Sequence, residues 1–201
     1  MNGINYETDQ LHVEVKMSKI KNAGHGLFAL KDFKKDDYIC SYEGPIRKKE
    51  YVDKANAYQA SYLMTHEFLI GTDAVSLIVD AIDENTCFAR YMNDPLDKKL
   101  NNVHESVDDS SRYLRRGKTW GVIEMVAKKK IKKGDELYLD YGDTYWMDID
   151  RTLHLSTEQI TKLRIKNKKY DKWFLKHFSY DGNKDEYYFS AGTKNRPIEI
   201  E

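Results

Sequence analysis

The sequence predicts an α+β protein, mainly β with small helices and a C-terminal helix, and three features carry that expectation. Short apolar stretches alternate with turn signals from Leu11 to Trp146, a spacing that suits small sheets rather than a doubly wound one. The stretch Gly134–Trp146 opens on a Gly-Asp turn, enters a strand from Leu137 to Tyr141, and packs three tyrosines and a tryptophan between Tyr138 and Trp146. A capping-box pattern, Ser156-Thr-Glu-Gln159, then opens a long helical periodicity.

Taken in order, Leu11-His-Val-Glu-Val15 alternates apolar and polar residues and reads as a strand with one exposed face. A basic polar step, Ser18 to Asn22, leads into Ala23-Gly-His-Gly-Leu-Phe-Ala29. Two glycines one residue apart permit a tight path and close approach of another molecule, and a hairpin with no ligand would look the same. Asp36-Asp37 is a turn before a strand from Tyr38 that Gly44-Pro45 is expected to stop. Arg47 to Met64 is charged and polar and predicts one or two short helices inserted between strands.

Phe68–Asp73 and Ser76–Ala81 predict a hairpin, and Glu84–Met92 a helical turn closed by Asn93-Asp94-Pro95. Asp97 to Arg116, with His104-Glu105 and Asp108-Asp109, reads as a solvent-facing loop. Trp120–Ala127 is a strand, and Lys128–Lys133 a basic lead into Gly134. In the strand that follows, Leu137, Leu139 and Tyr141 share one face and Tyr138 and Asp140 the other. Its plain reading is a buried core strand with a hydrogen-bonded tyrosine.

After Trp146 the composition changes. Ile160, Leu163, Asn167, Tyr170, Phe174 and Phe178 recur at three-four spacing, which predicts one helix of about five turns with a docking face. Eight Lys or Arg stand against two acidic residues between Arg151 and Phe178, a net of +6. That face could meet nucleic acid or an acidic partner, and a solvated helix face has the same composition. Ser179 to Glu201 is expected to be loop and tail.

With 201 residues the chain suits one domain, or one domain and an appendage. Lysines plus arginines and aspartates plus glutamates balance at 33 each, so no global field singles out a partner. Fifteen tyrosines against three prolines describe a folded, aromatic chain. No apolar run reaches the ~18 residues of a membrane span, so no membrane partner is expected and the protein is expected inside the cell, nuclear or cytoplasmic. Cys40 and Cys87 are the only cysteines, which leaves neither a disulfide framework nor a cysteine zinc cluster, and no metal is expected.

Four of these stretches stand in a telling order: Gly24-His-Gly-Leu-Phe-Ala, Tyr42-Glu-Gly, Val79-Asp-Ala with Arg90-Tyr-Met-Asn-Asp, and Gly134-Asp-Glu-Leu-Tyr-Leu-Asp-Tyr-Gly. From Val13 to Trp146 the chain resembles the SET-domain protein lysine methyltransferases, whose motifs are Gly-x-Gly, Tyr-x-Gly, Ile-Asp-Ala with Arg-Phe-Ile-Asn-His-Ser, and Gly-Glu-Glu-Leu-x-Phe/Tyr-Asp-Tyr-Gly. The resemblance implies a fold of short curved sheets with a pseudoknot, in which the segment after Asn93 is crossed by the chain around Tyr141. It divides the chain into a SET domain at 1–150, with a helical insert near 47–64, and a helical extension and tail at 151–201.

The resemblance also implies roles. S-adenosylmethionine would be the cofactor, held by Gly24, His25, Gly26, Tyr62, Arg90, Asn93 and the backbone of Asp94. Tyr141 would be the catalytic tyrosine and Tyr42 its partner at the end of a lysine channel. Leu139, Tyr145 and Trp146 would line the substrate side, with Trp173 a further candidate for the lid. Two departures stand out. Asp94-Pro95-Leu96 replaces His-Ser-Cys, with the following asparagine displaced to Asn101 or Asn102, and Leu139 replaces an aromatic residue linked in the family to the number of methyls added.

The expected activity is methyl transfer to a protein lysine, with a histone tail as substrate class by family analogy. Asp108, Asp109 and Asp143 are candidates to meet a basic peptide. Nucleosomal DNA is a possible contact of the basic helix. Two other readings stand beside this one: a non-catalytic SET-like peptide-binding module, and a nucleic-acid-binding protein whose affinity would fall steeply with salt. Oligomeric state is not legible.

Overall fold

The computed structural model describes residues 5–52, 55, 62–70, 73–106, 111–115, 117–142, 145–147, 155–181 and 186–189. The chain forms two compact units, Met1–Asp140 and Tyr141–Glu201. Asp108, Asp109 and Asp143 lie outside the described residues, as does most of the stretch 53–61 within the expected insert.

In the first unit, helix α1 (Tyr6–Asp9) precedes strands β1 (Val13–Met17), β2 (His25–Ala29) and β3 (Tyr38–Arg47). Helix α2 (Lys49–Val52) is followed by β4 (Leu63–Ile70) and β5 (Asp73–Asp80), then by a 3-10 turn at Ala89–Tyr91. Strands β6 (Val103–Glu105), β7 (Ser111–Arg115), β8 (Lys118–Ala127) and β9 (Glu136–Leu137) complete it. Among the described residues, β1-β2-β9 form one sheet, and β4-β5-β3-β8-β6 form the path of a six-stranded sheet with β7 also paired to β8. The fold is therefore mainly β with small helices, built of short sheets as the sequence motifs imply.

Several local expectations change. The first strand begins at Val13 rather than Leu11, because α1 fills the preceding stretch and leaves Leu11 exposed. Polar contacts hold this short helix on β3. The buried Asp9 carboxylate accepts from the Tyr38 hydroxyl at 2.6 Å and from the Ser41 N–H at 3.0 Å, while Asn5 donates to Ser41 Oγ at 2.7 Å. Burial pushes the Asp9 carboxyl up to about 6, against the smaller opposing effect of those hydrogen bonds.

Gly44-Pro45 does not stop β3. Residues Tyr38 to Pro45 pair with β8, and Ile46 and Arg47 pair with β5, so the strand changes partner where proline withholds its N–H. Gly44 is needed at this crossing, since an added methyl would overlap the Asp80 carbonyl. Asp80 itself is buried and ion-paired with Arg47 at 2.7 Å. The predicted hairpin forms as β4 and β5, but β4 begins at Leu63, so the end of the expected helical insert is strand.

The expected solvent loop at 97–116 contains β6 and β7, and Asn101, Asn102 and Val103 are buried. The expected strand Leu137–Tyr141 is a ladder only at Glu136–Leu137, after which side-chain and single-bridge contacts take over.

In the second unit the capping box forms: Ser156 Oγ accepts from the Gln159 N–H at 3.3 Å, and Gln159 Oε1 from the Ser156 N–H at 2.8 Å. It opens α3 (Thr157–Lys166), and a second helix, α4 (Lys168–His177), replaces the single long helix expected. Asn167 makes the break. Its extended backbone ends α3, and its side chain caps α4 by accepting from the Lys169 and Tyr170 N–H groups at 2.9 and 3.0 Å. Ile160, Leu163, Tyr170, Phe174 and Phe178 are all buried, as their spacing requires. Part of the expected tail is a hairpin of β10 (Phe178–Asp181) and β11 (Glu186–Phe189).

Candidate cofactor and catalytic site

The Gly-His-Gly motif enters β2 from a closed loop. The Ser18 N–H donates to the Gly24 carbonyl at 2.8 Å, and Gly24 adopts φ +69°, a left-handed conformation open to glycine without strain. Gly26 is buried against β9, where an added methyl would overlap Glu136 Oε1 and lie 3.1 Å from its Cδ. Glu136 is itself 2% exposed and accepts from the Ser18 hydroxyl at 2.6 Å, the Lys19 N–H at 2.7 Å and the Tyr138 hydroxyl at 2.9 Å. One buried carboxylate therefore sets the path of the whole loop. Burial, and after it the bond to Glu136, keeps the Tyr138 phenol protonated.

Asn93 ties this loop to the chain around Leu139. Its side-chain amide donates to the His25 carbonyl at 2.9 Å, its own carbonyl accepts from the Leu139 N–H at 3.1 Å, and it bridges in parallel to Tyr138. On the other flank, Asn102 Nδ2 donates to the Glu136 carbonyl at 2.8 Å and Asn102 Oδ1 accepts from the Tyr138 N–H at 2.7 Å. The N–H groups of Asn102 and Val103 both reach the Tyr138 carbonyl, at 3.2 and 3.1 Å. Segment 136–139 thus lies between the two ends of the 93–102 loop, the crossing expected of the pseudoknot. Of the two candidate asparagines, Asn102 makes these contacts, while Asn101 Oδ1 is buried without a partner among the described residues.

Tyr42, Tyr62 and Arg90 form a second group. The Tyr42 side chain is buried, and its hydroxyl donates to the Tyr62 carbonyl at 2.7 Å. The Arg90 guanidinium lies 4.2 Å from the Tyr62 ring centroid and 5.2 Å from that of Tyr91. Arg90 Nε is buried with no hydrogen-bond partner among the described residues. A buried donor left in that state suits a ligand that brings an acceptor, a carboxylate above all. Tyr91 joins the two groups, because its ring also meets His25 edge-on at 6.3 Å.

Asp94 sits in a tight turn. Its Oδ1 accepts from the Leu96 N–H at 2.8 Å and helps to hold the buried Leu96 at φ +55°, a costly conformation for leucine. The carboxylate that replaces the family's histidine therefore shapes the backbone. Leu139 is buried at 7% exposure.

In the second unit, Tyr141, Tyr145 and Trp146 form an aromatic cluster. Tyr141 meets Tyr145 edge-on at 4.6 Å and stacks with Trp146 at 6.0 Å and 18°, while Tyr145 and Trp146 cross at 4.9 Å and 80°. Trp173 packs instead on Tyr170, His177 and Phe178 of the same unit. Cys40 and Cys87 are buried thiols whose ionisation burial disfavours, with Cys87 pushed up to about 11.

The structure thus joins Gly24, His25, Gly26, Asn93 and Leu139 in one network and Tyr42, Tyr62 and Arg90 in another. Sequence reasoning missed Tyr91, Glu136 and Tyr138 as organisers, and left Asn102 as one of two candidate asparagines. Tyr91 and Glu136 lie within the quoted motifs, so their position was the available signal. For Asn102 the signal was the displaced asparagine of the motif, shared with Asn101.

Compared with known proteins, the chain matches the family model of the SET domain over residues 24–142. It is 24% identical over 142 residues to N-lysine methyltransferase KMT5A-A of Xenopus laevis, covering 68% of this chain and 38% of that protein. It is 24% identical over 135 residues to N-lysine methyltransferase KMT5A of Xenopus tropicalis, covering 64% of this chain and 36% of the relative. The chain spans less than two fifths of the length of these curated relatives. Among solved structures, it is similar to the crystal structure of the Chaetomium thermophilum polycomb repressive complex 2. That match has a TM-score of 0.45 and 23% identity, and covers 65% of this chain and 15% of the other.

Proposed function

We propose, from the premise that this chain belongs to the SET-domain family, that it is a protein-lysine N-methyltransferase using S-adenosylmethionine. The observation that carries the reading is the convergence of the Gly24-His25-Gly26 loop and Asn93 with an Arg90 whose buried Nε has no partner among the described residues. These residues fit a ligand with a carboxylate and a polar body. Arg90 would meet the carboxylate, and the backbone of Gly24, His25, Gly26 and Asp94 would hold the remainder, with Tyr62 alongside. When bound, S-adenosylmethionine supplies a methyl group made electrophilic by its sulfonium.

The chain's own residues do the rest. Tyr141 is the catalytic tyrosine of this reading, its hydroxyl and nearby carbonyls holding the transferring methyl through weak carbon-hydrogen contacts set before reaction. Tyr42 closes the lysine channel, and Tyr145 and Trp146 supply aromatic wall on the substrate side. An aromatic channel strips water from the lysine amine and aligns it, and a dry site next to positive charge favours the neutral amine that must attack. Leu139 leaves room where the family places an aromatic residue, so the product is di- or trimethyllysine. The substrate class is a histone tail, by analogy with the family.

Two measurements test this. Isothermal titration should detect S-adenosylmethionine binding to the wild-type chain, weakened about tenfold or more in Arg90→Ala by loss of a charged hydrogen bond. Absence of binding in wild type would instead favour a non-catalytic peptide-binding module. Transfer of labelled methyl to core histones and cell extract should fall at least about a hundredfold in Tyr141→Phe, in line with the loss of one preorganised donor. Unchanged turnover would remove Tyr141 from its role.

A further inference from the structure

We propose that the first unit carries a docking surface for the phosphate backbone of duplex nucleic acid, built from three lysine-rich loops, 31–37, 97–99 and 128–135. The surface uses none of the residues assigned to methyl transfer and none of the basic residues of α3 and α4.

The loops are held together by the main chain. Phe33 and Ile131 exchange two N–H to carbonyl bonds of 3.0 Å each, and both side chains are buried beneath the bridge, which fixes the first loop beside the third. Lys129 Nζ donates to the Lys99 carbonyl at 2.6 Å and draws in the second. A charged surface on such a frame is set before any partner arrives.

Its charge is lopsided. The three loops hold ten lysines and five aspartates, a surplus of five positive charges in a chain whose formal total is zero. All ten lysines are exposed. Four of the aspartates turn back onto the main chain. Asp32 Oδ1 accepts from the Lys133 N–H at 2.9 Å, Asp37 Oδ2 from Lys34 at 2.7 Å, Asp97 Oδ1 from Lys99 at 3.0 Å and Asp135 Oδ2 from Lys132 at 2.8 Å. The carboxylates are thus engaged in forming the turns. Ion pairs within the group include Lys132 with Asp32 at 2.5 Å and Lys35 with Asp36 at 3.9 Å.

The residue types choose the partner. None of the three loops contains arginine, whose fork grips carboxylate and phosphate alike with two parallel bonds, so the surface offers point charge, which lysine supplies to phosphates without fixing their orientation. The one aromatic residue, Phe33, is buried, so the surface offers no ring on which an unpaired base could stack. Charge without stacking suits the regular phosphates of a duplex, bound without regard to sequence.

The test is fluorescence anisotropy of a labelled random-sequence duplex titrated with the full chain over a salt series. A four-site variant, Lys34→Gln with Lys128→Gln, Lys130→Gln and Lys133→Gln, should bind about tenfold or more weaker at low salt, with a salt slope shallower by about 3 to 4. Its melting midpoint by circular dichroism should match wild type, and arginine at the same four positions should retain duplex binding. A matched set on α4, Lys168→Gln with Lys169→Gln, Lys172→Gln and Lys176→Gln, separates the two basic surfaces. The proposal is overturned if wild type binds no duplex, if the loop variant keeps the wild-type slope and affinity, or if only the α4 set loses binding. Preference for anionic phospholipid vesicles or polyglutamate over duplex would overturn it as well.

Discussion

Asn102 should be among the most sensitive positions in the chain, although its side chain lies outside the proposed chemistry. Its amide stands in for a missing strand, giving one hydrogen bond to the Glu136 carbonyl and taking one from the Tyr138 N–H. Asn102→Ala leaves both main-chain groups without those partners. Each buried group so stranded costs about 1–3 kcal/mol, and water reaches the half-buried Tyr138 more easily than Glu136, so the expected loss is about 3 kcal/mol. Against a typical domain stability of about 5–15 kcal/mol, that is a large fraction. Asn102→Asp separates hydrogen bonding from packing. It keeps the acceptor for Tyr138 but sets a carboxylate against the Glu136 carbonyl, so at neutral pH it should be no more stable than the alanine variant. Once protonated in mild acid it can donate again, and its deficit should shrink. Equilibrium urea unfolding of the three proteins at neutral and mildly acidic pH measures this, with hydrogen exchange at the Tyr138 and Leu139 amides as the local readout. An alanine variant within about 0.5 kcal/mol of wild type, inside the range of an ordinary surface change, would refute the reasoning. So would an aspartate variant without pH dependence.

Three further outcomes follow from the same geometry. Burial raises the Asp9 carboxyl from 3.8 to about 6, so the folded state holds its proton more tightly than the unfolded chain. The stability this confers is complete below the lower value and lost as pH rises through the upper one, about 3 kcal/mol in all. Asp9→Asn cannot titrate, so urea unfolding should favour the variant over wild type increasingly between mild acid and neutrality, and a flat difference would contradict this. Gly26→Ala must displace the Glu136 carboxylate from its three donors, and a loss of about 2–4 kcal/mol is expected by thermal or urea unfolding. Leu139→Phe should shift the product toward monomethyllysine with the chain still folded; mass spectrometry of a methylated peptide reads this, and monomethyl product from wild type would remove the basis for the shift.

The motif order made the fold legible, apolar runs between turn signals found β5 and β8, and three-four spacing found the buried face of α3 and α4. What escaped depends on contacts distant in sequence. Pro45 looks like a strand end locally, and only the arrival of β5 beside Ile46 lets β3 continue. Asn167 fits the helical spacing in phase, yet its side chain serves better as a cap, which splits the helix. Helix α1 is too short to hold by propensity and depends on Ser41 and Tyr38 in β3. Of the candidate site, the motifs named His25, Asn93 and Arg90. The role of the buried Glu136 carboxylate stayed hidden, because a polar residue fitted to distant donors looks like any surface residue in a list of letters, and only the contacts separate Asn102 from Asn101.

The embrace of segment 136–139 by the loop 93–102 also dictates an order of events during synthesis. Strand β2 is made early, yet its partner Leu137 follows it by more than a hundred residues, and Asn93 and Asn102 have nothing to close around until then. A nascent chain ending short of Glu136 carries an unpaired β2 edge and an empty loop, both open to wrong partners. Such distant pairing places folding toward the slow, millisecond-to-second end of the range for domains of this kind. The last strand of the first unit works as a latch, and protease resistance should therefore appear abruptly, when the ribosome has released residues beyond Leu139.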